Sequence, residues 1–386
     1  MKFLKILVRK ILNWIDPDLE YKMVDQYHFN RHKRRPPDLM WEPVVPNPEA
    51  RLDVGRGQIG QELFIFGGFR WDSSVVNKVD IFDMETEKWS ASIDLPEDMA
   101  HTHLGVAGDG ERYTYLISGQ IGGRCLPATK NCFVFDARTR SFNKFPPLPL
   151  ARYAPAVQLW RGRLHSIAGA KEDRNTPATE HWSIAVKEGK AFEQEWREEP
   201  PIPRGGHHRA SAVIGDALHV LGGQEGDYIA IPGDPECRCT GKLTTEIRFA
   251  DCFRLKAGAK SWERVADMPV LASHTESSVI QIDDRVLILG GDCHRVANVS
   301  LITLNDEIQL YDAPSGSWRV IGRLPFRIKS IAAGYYRGHV YFTTGQRDKG
   351  PDDATPMRRF ERGTWKVRLD AEIIESLIAS YSAVKR

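Results

Sequence analysis

The chain has 386 residues, 41% hydrophobic and 27% charged, with 32 glycines and 23 prolines, a balance that belongs to a turn-rich globular protein and excludes a disordered or fibrous one. A formal net charge of +2 lacks the basic excess of a dedicated nucleic-acid binder, so no nucleic acid is expected as partner. Six cysteines without a Cys-x-x-Cys pair argue against a disulfide scaffold or zinc ribbon, and reduced thiols are expected.

Residues 1–39 read as an amphipathic helix and a basic linker. On a helical wheel Phe3, Leu4, Leu7, Val8, Ile11, Leu12, Trp14 and Ile15 share one side, while Lys5, Arg9, Asn13 and Asp16 share the other. Charges at Lys5, Arg9 and Lys10 stop the run well short of the roughly 20 apolar residues that a membrane span needs. Two placements follow: on a membrane surface, helped by Arg31, His32, Lys33, Arg34 and Arg35, or docked on the side of the protein. The expected compartment is the cytoplasm, with peripheral membrane contact through residues 3–15; a Golgi or secretory lumen stays open.

From Trp41 the sequence repeats about every fifty residues. Each unit has an apolar strand ending in a doublet of a small residue and a glycine: Gly67-Gly68, Ser118-Gly119, Ala168-Gly169, Gly222-Gly223, Gly290-Gly291 and Thr344-Gly345. After most doublets come a loop and a β-rich run closed by an acid, as in Val79 to Asp83, Cys132 to Asp136 and Ile308 to Asp312. A large aromatic follows, Trp89, Phe142, Trp196, Trp262 or Trp318, usually trailed by Leu-Pro or Met-Pro. This pattern resembles the kelch repeat. The resemblance implies four-stranded antiparallel blades, and six doublets then give an all-β, six-bladed propeller over residues 40–370. The last unit has no aromatic after Trp365; Trp41, ten residues before Arg51 as Phe142 is before Arg152, fills that place. An N-terminal strand is therefore expected to close the ring and remove its free edges. Residues 371–386 read as a short helix outside the ring.

In antiparallel blades the start of each innermost strand and the loop after each doublet share a face. Counting back from the doublets puts Asp53, His103, Ala154, His208, Glu276 and Ser330 at equivalent points. Two residues earlier stand Arg51, His101, Arg152, Gly206, His274 and Ile328, which strand alternation assigns to the same side. So many ionisable groups converging on one axis cost desolvation energy, and three readings compete. In the first, Asp53 with His103 and His208 with Glu276 are catalytic acid–base pairs. They would act on a ligand whose carboxylate Arg51 and Arg152 grip, as in epimerisation or mutarotation of an acidic sugar. In the second, His103, His208, Glu276 and Asp53 hold a divalent metal. In the third, the groups satisfy one another in a polar, water-filled channel. His101, Tyr153, His207, His274, Gln120, Gln224, Gln346 and Arg347 complete the ligand-binding set on this face.

Blade 4 carries about fifteen surplus residues between Gln224 and Asp251, a candidate lid over the channel mouth. Cys125, Cys237, Cys239 and Cys293 fall in loops of the same face, where solitary thiols are expected. Gly55 to Gly60 fits G-x-G-x-x-G, but a strand follows it instead of a helix, so it is a turn. Longer strings, Asp98 to Gly105, Pro147 to Pro155, Glu180 to Lys187 and Gly345 to Asp353, resemble plant Golgi-type kelch-repeat proteins of the galactose-oxidase-like superfamily. That resemblance implies no particular reaction. The chain lacks the group's full-length transmembrane anchor, and it has no equivalent of the Tyr and Cys arrangement that binds copper in galactose oxidase, so a copper oxidase is rejected. The reading is a propeller that binds a small polar ligand, such as a carbohydrate, at its channel mouth. The alternative is a protein-interaction scaffold in which Arg51, Arg152, Arg70 and Arg347 take an acidic peptide on the same face.

Overall fold

This computed structural model describes residues 37–123, 126–230, 246–295, 302–348 and 359–383. The expected membrane-surface helix and basic run within residues 1–35 lie outside the described residues. So do Cys125, Cys237, Cys239 and most of the surplus of blade 4. No described helix is long and apolar enough to cross a membrane.

Among the described residues, six antiparallel sheets of four or five strands carry the fold. Their innermost strands are Gly55–Ile59, Gly105–Gly108, Ala156–Trp160, Ala210–Ile214, Val279–Ile282 and Ala332–Tyr336, and we number the blades 1 to 6 in that order. Each strand packs against the next, and Ala332–Tyr336 packs back on Gly55–Ile59, so the ring is closed. In blade 6 the fourth strand is Glu42–Val44, paired antiparallel with Thr364–Arg368 through Glu42 opposite Lys366 and Val44 opposite Thr364. The N-terminal strand thus closes the ring as expected, with Trp41 set edge-on against Phe342 at 5.0 Å. The helix Ala371–Ala383 lies outside the ring and buries Ile374 against blades 5 and 6.

Both faces of every sheet are covered, which is why strands such as Leu63 to Phe66 and Val286 to Leu289 are apolar throughout instead of alternating. The apolar side chains gather in six large clusters, one in each gap between neighbouring blades.

The doublets explain how the gaps are stitched. Their first residues sit at φ between 57° and 66°, a left-handed turn that Ser118, Ala168 and Thr344 accept. Their second residues, always glycine, sit at φ between 92° and 107°, where a side chain is strained. From there each second glycine donates its N–H to the next blade at 2.7 to 2.9 Å: Gly68 to the carbonyl of His101, Gly119 to Arg152, Gly169 to Gly206, Gly223 to Ala272, Gly291 to Ile328 and Gly345 to Arg51. The last of these completes the circle. The repeated aromatic has a matching role at the outer edge. The indole N–H groups of Trp89, Trp196, Trp262, Trp318 and Trp41 donate to carbonyls of the preceding blade, those of Val45, Pro146, Pro200, Ala266 and Arg323, at 2.8 to 3.2 Å. Phe142 packs in the same place in blade 2 without that bond.

Candidate functional site

The chain enters each innermost strand through a left-handed residue: Asp53, His103, Ala154, His208, His274 and Ser330, at φ between 45° and 57°. The N–H groups of His103, Ala154, His208 and Ser330 donate to the carbonyls of Asp53, His103, Ala154 and His274 in the blade before, at 2.9 to 3.3 Å. This ring corrects the count in blade 5. Sixteen residues separate His274 from Gly290, against fourteen from Asp53 to Gly67. The extra pair is taken up by a turn in which Ser278 N–H meets the Thr275 carbonyl at 3.0 Å. His274 is therefore the counterpart of Asp53, and Ala272 the counterpart of Arg51.

The left-handed turn also breaks strand alternation, so residues two positions earlier do not point to the axis. Arg51 pairs with Asp80 inside blade 1, where both are buried. Arg152 lies 4.5 Å over the Trp182 ring and pairs with Glu180 at 3.0 Å. Neither is placed to grip a ligand at the axis. Arg70 and Arg347 are likewise engaged, with Glu49 and with Glu361. The expected acidic-peptide cradle thus has all four of its arginines already paired. His101 accepts the Gly122 N–H through Nδ1 at 3.3 Å, and Gln120 and Gln224 donate to carbonyls of their own loops, so these residues shape loops on the face. Gln346 and Arg347 form a small strand against Ile328–Lys329.

At the axis the structure brings together both expected acid–base pairs. His103 Nε2 is 3.2 Å from Asp53 Oδ2, and His208 Nδ1 is 2.6 Å from Glu276 Oε1. Ser330 Oγ donates to the other oxygen of Asp53 at 2.6 Å. The rings pack directly: His208 stacks on His274 at 3.8 Å, His103 stacks on Tyr153 at 4.1 Å, and His103 and His208 meet edge-on at 5.2 Å. His274 Nδ1 is 3.2 Å from Asp292, which also pairs with Arg248 at 3.0 Å. These groups form a plug across the axis, all of them buried except Glu276, whose side chain is partly exposed.

Electrostatics sort their protonation. Burial pushes His103 down to about 4 in spite of Asp53, so its imidazole is neutral at pH 7. Burial opposes the charge of Asp53, but His103, His274 and Lys329 outweigh it and hold the carboxyl well below the usual range. For His208 burial is outweighed by Glu276, Asp53 and Asp227, and its affinity for a proton rises. Glu276 is lowered correspondingly by His208 against its own burial.

Arg174, Asp227 and Lys329 belong to the plug but were not singled out in the sequence. Arg174 donates to the Tyr153 hydroxyl at 2.7 Å and pairs with Asp227 at 3.4 Å. Lys329 Nζ stands 3.4 Å from His274 Nε2. Lys329, directly before Ser330, was within reach of sequence reasoning; Arg174 and Asp227 arrive on loops that carry no local signal. Below the plug a channel of about 310 Å³ runs from Glu276 past Arg56, Gln58, Gln158 and Gln281 towards the strand hairpins. Arg56 makes no ion pair among the described residues, and burial lowers its guanidinium to about 10.

A family model for the Kelch motif matches residues 50–91. A kelch repeat-containing protein of Arabidopsis thaliana is 44% identical over 335 residues, covering 86% of this chain and 77% of the relative. The chain belongs to the kelch-repeat family. More distant kelch relatives include the Kelch-like protein terF of Aspergillus terreus, 22% identical over 76% of this chain and 61% of that one. Human Kelch-like protein 34 is 26% identical over 39% of this chain and 24% of its own. Among solved structures, that of YjhT superposes with a TM-score of 0.61 at 13% identity, covering 83% of this chain and 95% of that chain. That likeness speaks to the kelch fold alone. Relatives and structure together identify an all-β kelch propeller and carry no support for carbohydrate binding, isomerase activity or membrane contact.

Proposed function

We propose that this kelch propeller is a recognition module that binds a protein segment across the face formed by the loops after the doublets. The observation that carries this reading is the contrast on that face between a closed centre and open aromatics. The plug groups are, but for the partly exposed Glu276, buried and largely engaged with one another. Trp71, by contrast, is 58% exposed beside Phe360, and Tyr228 and Ile247 are each 44% exposed on loops of blade 4. Exposed Trp and Tyr on a rigid platform supply contact area at little entropic cost, as protein-binding surfaces require. Since the loop arginines are paired, the segment is recognised by apolar and aromatic anchors and not by its acidity. The test is selection of binding peptides from a random display library on the whole chain. Binding is expected to fall about tenfold or more in Trp71→Ala and Tyr228→Ala, and to survive Phe192→Ala, which removes an aromatic that is 69% exposed away from these loops. Peptides indifferent to Trp71 and Tyr228 refute the reading.

A second reading draws on the channel. Glu276 Oε2, at its inner end, is buried without a hydrogen-bond partner, and Arg56 in its wall lacks an ion pair among the described residues. A small polar ligand bearing a carboxylate, such as an acidic sugar, suits such a channel. Thermal stabilisation by acidic sugars that is lost in Arg56→Met supports it; no shift with any of them rejects it.

A further inference from the structure

We propose that His207, His208 and Asp227 form a site for one divalent transition-metal ion of the zinc type. One donor atom from each of these three buried residues lies within 4.8 Å of the other two. All three come from blade 4. His207 and His208 precede its innermost strand, and Asp227 follows its doublet. In a regular strand successive side chains would diverge to opposite faces. The left-handed backbone at His208 instead turns both imidazoles towards one point.

A second observation points to a ligand. His207 Nδ1 and His208 Nε2 are both buried, and neither has a hydrogen-bond partner. A buried imidazole nitrogen left unpaired costs free energy, and the common resolution is a missing water or ion. The opposite nitrogen of His208, Nδ1, is 2.6 Å from Glu276 Oε1. A carboxylate in that position accepts a hydrogen bond from Nδ1–H, which keeps the proton on Nδ1, leaves the lone pair on Nε2 and fixes the ring for metal binding.

His207 is supported in the same way by a neutral partner. Its Nε2 is 3.4 Å from the Gln224 amide nitrogen, whose oxygen accepts from Ser273 Oγ at 2.8 Å. With metal on Nδ1 the ring proton moves to Nε2. The Gln224 amide then turns over to accept it, at the cost of its bond to the Gly226 carbonyl, while the Ser273 hydroxyl switches from donor to acceptor. Asp227 accepts the Tyr228 N–H at 2.6 Å and the Arg174 guanidinium at 3.4 Å, and it supplies the anionic donor of the set. Two neutral imidazoles and one carboxylate are a common ligand set for zinc, at metal–donor distances of about 2.0–2.2 Å; modest inward movement of the donors completes the geometry. Of the residues expected from sequence to bind a metal, only His208 is in this set. Asp53 and His103 are spent on each other, and Glu276 positions His208 from outside.

The site is independent of what the loop face recognises, and its test needs no partner. The whole chain is stripped with a chelator, dialysed and titrated with Co²⁺, then with Zn²⁺. One equivalent of Co²⁺ is expected to give the visible absorption of a low-coordinate nitrogen and oxygen site, displaced by Zn²⁺. His207→Ala, His208→Ala and Asp227→Asn each lower affinity roughly 100-fold, and Glu276→Gln lowers it about 10-fold or more. His219→Gln, which changes another buried histidine of blade 4, leaves it unchanged. Far-UV circular dichroism confirms that each variant is folded. Should one unfold, X-ray absorption of the wild-type zinc form replaces it and is expected to show two imidazoles. Absence of stoichiometric metal binding in the wild type, binding that survives all three ligand variants, or an absorption spectrum without imidazole scattering overturns the proposal.

Discussion

Gly345→Ala should be among the most damaging small substitutions in this protein, because that glycine ties blade 6 to blade 1. Its φ is +98°, and a Cβ there would stand 2.4 Å from the Lys329 carbonyl oxygen, a backbone atom that cannot step aside cheaply. Its N–H donates to the Arg51 carbonyl at 2.8 Å. Backbone strain of about 1–3 kcal/mol and an interblade hydrogen bond worth about 1 kcal/mol give a loss of about 4 kcal/mol at the upper end, before relief of the clash. Gly60→Ala is the control: its φ is +56° and a Cβ meets nothing within 4 Å, so about 1–2 kcal/mol is expected from the left-handed backbone alone. With an unfolding entropy near 2.1 cal/mol/K per residue, the whole chain loses about 1.2 °C in Tm for each kcal/mol. Calorimetry should therefore show Gly345→Ala melting up to about 5 °C below wild type and Gly60→Ala about 1–2 °C below. Equal shifts, or a larger one for Gly60→Ala, would refute the claim that the second doublet glycine is required by a close interblade approach.

Three further outcomes follow from buried groups. Asp80→Asn leaves the Arg51 guanidinium buried without its counter-charge and should cost about 3–5 kcal/mol in urea unfolding; Arg51→Met combined with Asp80→Leu should recover most of it. Trp262→Phe keeps the ring in its gap but removes the indole bond to Pro200, so a loss of about 1 kcal/mol is expected, against about 3–5 kcal/mol for Trp262→Ala; equal losses would remove the hydrogen bond from the explanation. Burial lowers His219 to about 4, against about 6.5 in the unfolded chain. The unfolded state then takes up a proton that the folded state refuses, so stability is full above pH 6.5 and falls as pH drops towards 4. Burial also lowers His165 and His181, to about 3 and about 4, so they steepen the same loss. His219→Gln should remove about 1.4 kcal/mol of the stability difference between pH 7.5 and pH 5.5 in parallel urea titrations.

The propeller was legible because its signals are local and repeated. The second doublet glycines are dictated by a backbone angle that recurs in every blade, and Trp41 betrayed the closing strand by its spacing from Arg51. The pairing of Asp53 with His103 and of His208 with Glu276 was also legible, although the route to the second pair was mistaken. Counting back from Gly290 makes Glu276 the counterpart of Asp53, because the count cannot see the turn at Thr275 to Ser278. Which way Arg51 and Arg152 point was not legible either. Alternation holds only while φ stays extended, and a left-handed residue separates these arginines from the strands that follow. Asp227 reaches the imidazoles by the path of a loop, for which neither periodicity nor spacing offers a signal.

The most direct test of the recognition role is hydrogen exchange on the whole chain with and without a peptide selected for binding. Protection confined to the loops around Trp71, Tyr228, Ile247 and Phe360 is the predicted result. Protection at the hairpin turns around Gly60, Gly110 and Gly215, with the loops after the doublets unchanged, would place the binding surface on the opposite face and contradict the account.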